Sequence, residues 1–63
     1  MPVIEVKMME GRTAEQKDKL IHELTEACNS AIGAPVENVR VLLHEIPKTN
    51  FGISGKSADK LGR

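Results

Sequence analysis

The stretch from Thr13 to Gly33 leaves this chain few folds to choose from. Leu20, Ile21, Leu24, Ala27, Cys28, Ala31 and Ile32 recur at helical spacing and form one apolar stripe. "TAEQ" at 13–16 fits a capping box, in which the Thr13 hydroxyl accepts from first-turn N–H groups and Gln16 reaches back. Gly33 is placed for a C-terminal cap, and Pro35 follows where a helix cannot continue. The pattern predicts one amphipathic helix over 14–32, about five turns long.

On both sides of this stretch the period changes to two. Over residues 3–8, Ile4, Val6 and Met8 point one way and Val3, Glu5 and Lys7 the other, which predicts a half-buried strand. "EGR" at 10–12 turns the chain, with Gly11 as its hinge. "VRVLLHE" at 39–45 predicts a second strand, with Val39, Val41 and Leu43 on one face and Arg40, Leu42 and His44 on the other. Pro47 ends it, and the tail "KTNFGISGKSADKLGR" reads as a turn or short hairpin with a loose end. Strand, helix and strand at this length predict an α/β fold: a βαβ unit with parallel strands and a right-handed crossover. Residues 1–63 read as one domain without internal repeats.

Such a unit is poorly stabilised alone. One helix covers one face of a two-stranded sheet, and both sheet edges stay unpaired. A core in a chain below about 70 residues rarely supplies more than about 3–5 kcal/mol. Cys28 is the only cysteine, so no intrachain disulfide forms, and His22 and His44 lack zinc spacing. The expectation is an oligomer whose neighbours complete the sheet. Residues from different chains could then meet at one site.

Nine basic and nine acidic residues cancel, no basic run occurs, and Phe51 is the sole aromatic, so nucleic-acid binding is not expected. No long apolar segment predicts a membrane span. "MPVIEVK" lacks the basic and apolar regions of a signal peptide, and the lone cysteine fits the cytoplasm. Few side chains are left for chemistry. Cys28 lies in the apolar stripe and reads as core, His22 as solvated, His44 as an interface residue and "FGISG" as a turn. Arg12 lies in the turn after the first strand, and Arg40 points to the uncovered face. An arginine buried at an interface needs an anionic partner: a substrate carboxylate, or Glu5, Glu37 or Glu45. Pro2 follows Met1 directly, and removal of the initiator methionine leaves a secondary amine that titrates close to neutral pH.

Pro2 after Met1, "EGRT" and "EQK" within 10–17, "VRV" at 39–41 and "NFGISG" at 50–55 together resemble the 4-oxalocrotonate tautomerase family over essentially the whole chain. The resemblance implies βαβ subunits assembled as hexamers (trimers of dimers), no cofactor, and a role in aromatic hydrocarbon catabolism. It implies that Pro2 is the general base and that Arg12 holds the distal carboxylate of a dicarboxylate substrate. Arg40, from a neighbouring subunit, would bind the 2-hydroxy or 2-oxo group and the nearby carboxylate, and Phe51 would form the aromatic wall. His44, in place of a smaller polar residue, and the "PKTN" linker depart from the family pattern and bear on substrate preference.

The chemistry fits these residues. Moving a proton between the 2-hydroxyl oxygen of a dienol and C5 of the conjugated ketone needs one base that can return the proton, with a pKa near working pH. Burial and nearby guanidinium groups disfavour the charged amine, and the same cations hold the developing dienolate. The expected activity is a tautomerase acting on a 2-hydroxydienoate such as 2-hydroxymuconate. The alternatives are a dehalogenase or decarboxylase acting on small unsaturated or oxo acids, and a non-enzymatic oligomer that binds small anions.

Overall fold

A computed structural model describes residues 1–63. Strand β1 spans Val3–Met9, helix α1 Ala14–Ile32 and strand β2 Arg40–Ile46. A C-terminal hairpin of β3 (Gly52–Ile53) and β4 (Lys56–Ser57) follows. β1 and β2 pair in parallel, Val3 opposite Arg40 and Met9 opposite Ile46, so the βαβ unit forms as expected. β1 begins where the alternation indicates and runs one residue further, and β2 lies one residue later. β1 takes in Met9, while Val39 closes a single 3-10 turn over Val36–Asn38 before β2 begins. A second such turn, Lys48–Asn50, follows Pro47. A proline, Pro35 or Pro47, immediately precedes each turn and its fixed φ starts the bend; neither turn carries a periodic signal.

Helix α1 begins and ends where its side chains dictate. Gln16 N–H donates to Thr13 Oγ1 at 3.1 Å, and Thr13 N–H donates to Gln16 Oε1 at 3.0 Å. Gly33 adopts φ 72°, a left-handed conformation, and its N–H returns to the Asn29 carbonyl. Leu20, Leu24 and Cys28 are half-buried, whereas Ile21 stays 37% and Ile32 69% exposed. The apolar stripe is therefore wider than two strands can cover.

The uncovered face of the sheet carries Val3, Glu5 and Lys7 beside Arg40, Leu42 and His44. Val3 is 53% and Leu42 45% exposed. Only Val39 and Ala58 are buried. The radius of gyration is 14.5 Å in a body of 42 × 23 × 14 Å. A compact chain of this length would give about 11 Å. One chain is thus an open plate with little interior of its own.

The tail is not loose as the sequence suggests. Ala58 is fully buried, its N–H donating to the Phe51 carbonyl at 2.7 Å. The Arg63 N–H returns to the Ala58 carbonyl at 2.9 Å, and Gly62 takes a left-handed φ of 72° to allow it. Small residues and glycines look like linker in sequence, but here they permit a tight terminal turn.

Candidate active site

Pro2 stands at the entry of β1, where the Arg40 N–H donates to its carbonyl at 3.0 Å. Burial alternates from Pro2 to Met8, and Pro2 falls with Ile4 and Val6 on the half-buried, helix-covered side. Arg40 lies opposite Val3, so it falls on the uncovered side. Its Nη1 donates to the main-chain carbonyls of Glu37 at 2.8 Å and Val39 at 3.4 Å. It forms no ion pair within the chain. Glu45 is not its partner: it faces the helix and binds Lys17 Nζ at 2.9 Å.

Arg12 and Phe51 lie at the other end of the sheet. Seven residues of β1 separate that end from Pro2, about 20 Å at strand rise. Gly11, with φ 124°, makes the turn that carries Arg12 out of β1. Arg12 stands between two clefts. The larger, about 390 Å³, is lined by Met8, Glu10, Arg12, Lys48 and Arg63. The smaller, about 230 Å³, is lined by Met8, Arg12, Gln16, Lys17 and Leu20. Phe51 lines neither cleft; it is half-buried, and its N–H donates to the Lys48 carbonyl at 3.4 Å.

The backbone ties Pro2 to Arg40 at one end of the sheet, and Arg12 and Phe51 both follow strand ends at the other. Lys48 and Arg63 at the larger cleft escaped sequence reasoning, because nothing local links a residue after Pro47 to the last residue of an apparently loose tail. Cys28 is a free, half-buried thiol on α1. His22 is solvated, with Glu26 at 4.0 Å. His44 lies exposed on the open face opposite Lys7. No helix is long and apolar enough to cross a membrane, and no cluster of His, Cys, Asp or Glu is gathered that could hold a metal ion.

A family model described as "Tautomerase enzyme" matches residues 2–60. A 2-hydroxymuconate tautomerase of Comamonas testosteroni is 51% identical over the full length of both chains. Among solved structures, a 4-oxalocrotonate tautomerase isozyme from Methylibium petroleiphilum superposes with a TM-score of 0.94 at 52% identity, covering 98% of this chain and 100% of that one. A heterohexameric 4-oxalocrotonate tautomerase from Chloroflexus aurantiacus gives 0.91 at 34% identity, covering 97% and 98%. The chain belongs to the tautomerase family and is an isomerase, which replaces the reading as a non-enzymatic anion-binding module.

Proposed function

We propose that this enzyme interconverts a 2-hydroxydienoate such as 2-hydroxymuconate and its conjugated 2-oxo isomer, with Pro2 as general base once Met1 has been removed in the cytoplasm. The observation that carries this reading is the placement of Pro2. It is fixed at the start of β1 by the Arg40 N–H, and Met1 ahead of it is 79% exposed. Loss of Met1 would cost the fold little and leave a secondary amine at an ordered, half-buried position.

The neutral amine takes the 2-hydroxyl proton and returns it at C5. Arg40 binds the 2-oxygen and adjacent carboxylate, opposing the charge that develops there. Arg12 grips the distal carboxylate through its planar fork. Phe51 walls the pocket.

These groups cannot converge within one chain, since Arg12 and Phe51 stand a full strand length from Pro2, and Arg40 leaves the sheet on the face opposite Pro2. A neighbour running antiparallel brings its Arg12 and Phe51 to Pro2, and a further copy supplies Arg40. The assembly proposed is a homohexamer, a trimer of dimers. The exposed Val3, Leu42, Ile32 and Val36 support it as apolar surface that neighbours would cover. Six copies of so open a plate also gain the interior that one lacks.

The test is an intact-mass measurement and a kinetic assay with 2-hydroxymuconate on the same sample. Turnover by protein lacking Met1 is expected. Full turnover by protein that retains Met1 would exclude Pro2 as the base, and no turnover by the processed protein would exclude the substrate.

A further inference from the structure

His44 stands directly opposite Lys7 in the parallel ladder, one strand spacing of about 4.8 Å away. Both side chains are exposed on the open face of the sheet, and neither forms an ion pair within the chain. The same face carries Arg40 near its other end and Glu5 between them, opposite Leu42, as its one acid. Helix α1 packs on the opposite face, where Glu45 is already held by Lys17. Past the strand ends, Glu10 accepts the Lys48 main-chain N–H at 3.4 Å. Histidine is the side chain whose charge ordinarily changes between about pH 5 and 8. With a neutral His44 the open face sets two cations, Lys7 and Arg40, against Glu5; with a protonated one it sets three. Like charges directly opposite each other on a ladder repel.

We propose that protonation of His44 beside Lys7 loosens the contact between copies of this chain, so that subunit assembly is coupled to pH. This rests on the reading that further copies cover the open face. Val3 and Leu42 leave apolar surface among these charges, while the chain buries only Val39 and Ala58 of its own. A symmetric neighbour brings the same charges to the contact. A neutral imidazole packs there at little cost. An imidazolium loses its water and meets the cations of two copies. Separated subunits therefore take up the proton more readily than assembled ones. Association is strongest above the histidine range and weakens as pH falls through it. At a composite active site, activity then falls in acid for two separable reasons. Protonation of the Pro2 amine acts at any protein concentration, whereas dissociation is offset by raising it.

Subunit exchange tests it. Unlabelled and isotope-labelled wild-type protein are mixed at about pH 7.5 and about pH 5.5, on either side of the ordinary histidine titration, and followed by native mass spectrometry. Exchange should be at least about tenfold faster at the lower pH, the scale of a like charge brought to a desolvated contact. His44→Gln keeps a polar side chain without the titrating proton, and Lys7→Gln removes the facing charge. Each should lose most of that pH effect. Equal acceleration in the wild type and His44→Gln overturns the proposal and leaves the assembly standing. So does a wild-type exchange rate that is the same at both pH values. A wild type that is monomeric at the higher pH overturns the assembly and this coupling together. Should His44→Gln fail to fold, Lys7→Gln carries the comparison, and an unaltered pH effect in it overturns the proposal.

Discussion

The Arg40 N–H donates to the Pro2 carbonyl at 3.0 Å, yet alternation along the ladder sends the two side chains to opposite faces of the sheet. The backbone contact orders Pro2. The opposed side chains make Arg40 available to a different copy, because a guanidinium on the uncovered face cannot reach around its own strand to the Pro2 nitrogen. In the proposed hexamer one ladder would then serve a site on each side of the sheet.

The first prediction concerns that nitrogen. Only a neutral amine accepts a proton, so kcat/KM should rise with pH through the pKa of the Pro2 amine. Burial and guanidinium neighbours should place that pKa below the ordinary range of a terminal amine. Protein carrying any residue ahead of Pro2 has an amide there and should lose about 10²–10⁴-fold in rate while remaining folded by circular dichroism. A pH profile flat from acid to alkaline in processed protein would contradict the role.

Arg12→Ala and Arg40→Ala should separate binding from chemistry. Loss of Arg12 should raise KM for the diacid about tenfold to a hundredfold, the scale of a hydrogen-bonded charge, with little effect on a monoacid. Loss of Arg40 should lower kcat, because it opposes charge that develops during the reaction. Steady-state kinetics on both acids checks this, and equal effects of the two changes on both substrates would refute the division of roles.

Mixing damaged subunits tests the composite site. Pro2→Gly and Arg12→Ala proteins, assayed with the diacid far below the raised KM of the Arg12 variant so that each is only weakly active, should regain part of the activity when dissociated together and reassembled. Some sites then receive an intact Pro2 from one chain and an intact Arg12 from another. If each site lay within one chain, every site would carry a defect and mixing would restore nothing. Sedimentation of the wild type at micromolar concentration should show an oligomer and no folded 6.9 kDa species.

Thr13→Ala should destabilise the protein by about 0.5–2 kcal/mol, since it removes the acceptor of the Gln16 N–H at the start of α1. Denaturant midpoints measured at fixed protein concentration check this, because subunit association contributes to apparent stability.

The sequence by itself determined what short-range chemistry decides. The bounds of α1 follow from Thr13, Gln16 and Gly33, whose partners lie within four residues and so are set by the local chain. The parity of β1 and β2 follows from side-chain alternation, and the parallel crossover from the length of the helix between them. The family resemblance identified Pro2, Arg12, Arg40 and Phe51 as the residues of interest.

Tertiary structure decided what brings distant residues together. The register that sets Val3 opposite Arg40, and with it the contact between Pro2 and Arg40, depends on how the crossover docks. The cleft of Arg12, Lys48 and Arg63 exists because the Pro47 turn and the terminal turn on Ala58 fold back toward Glu10. Those turns rest on single proline and glycine conformations and on contacts across 38 residues between Glu10 and Lys48. No periodicity encodes such contacts. Hydrophobic patterning specifies which face is buried, but the three-dimensional path of the chain determines which charges share a cleft.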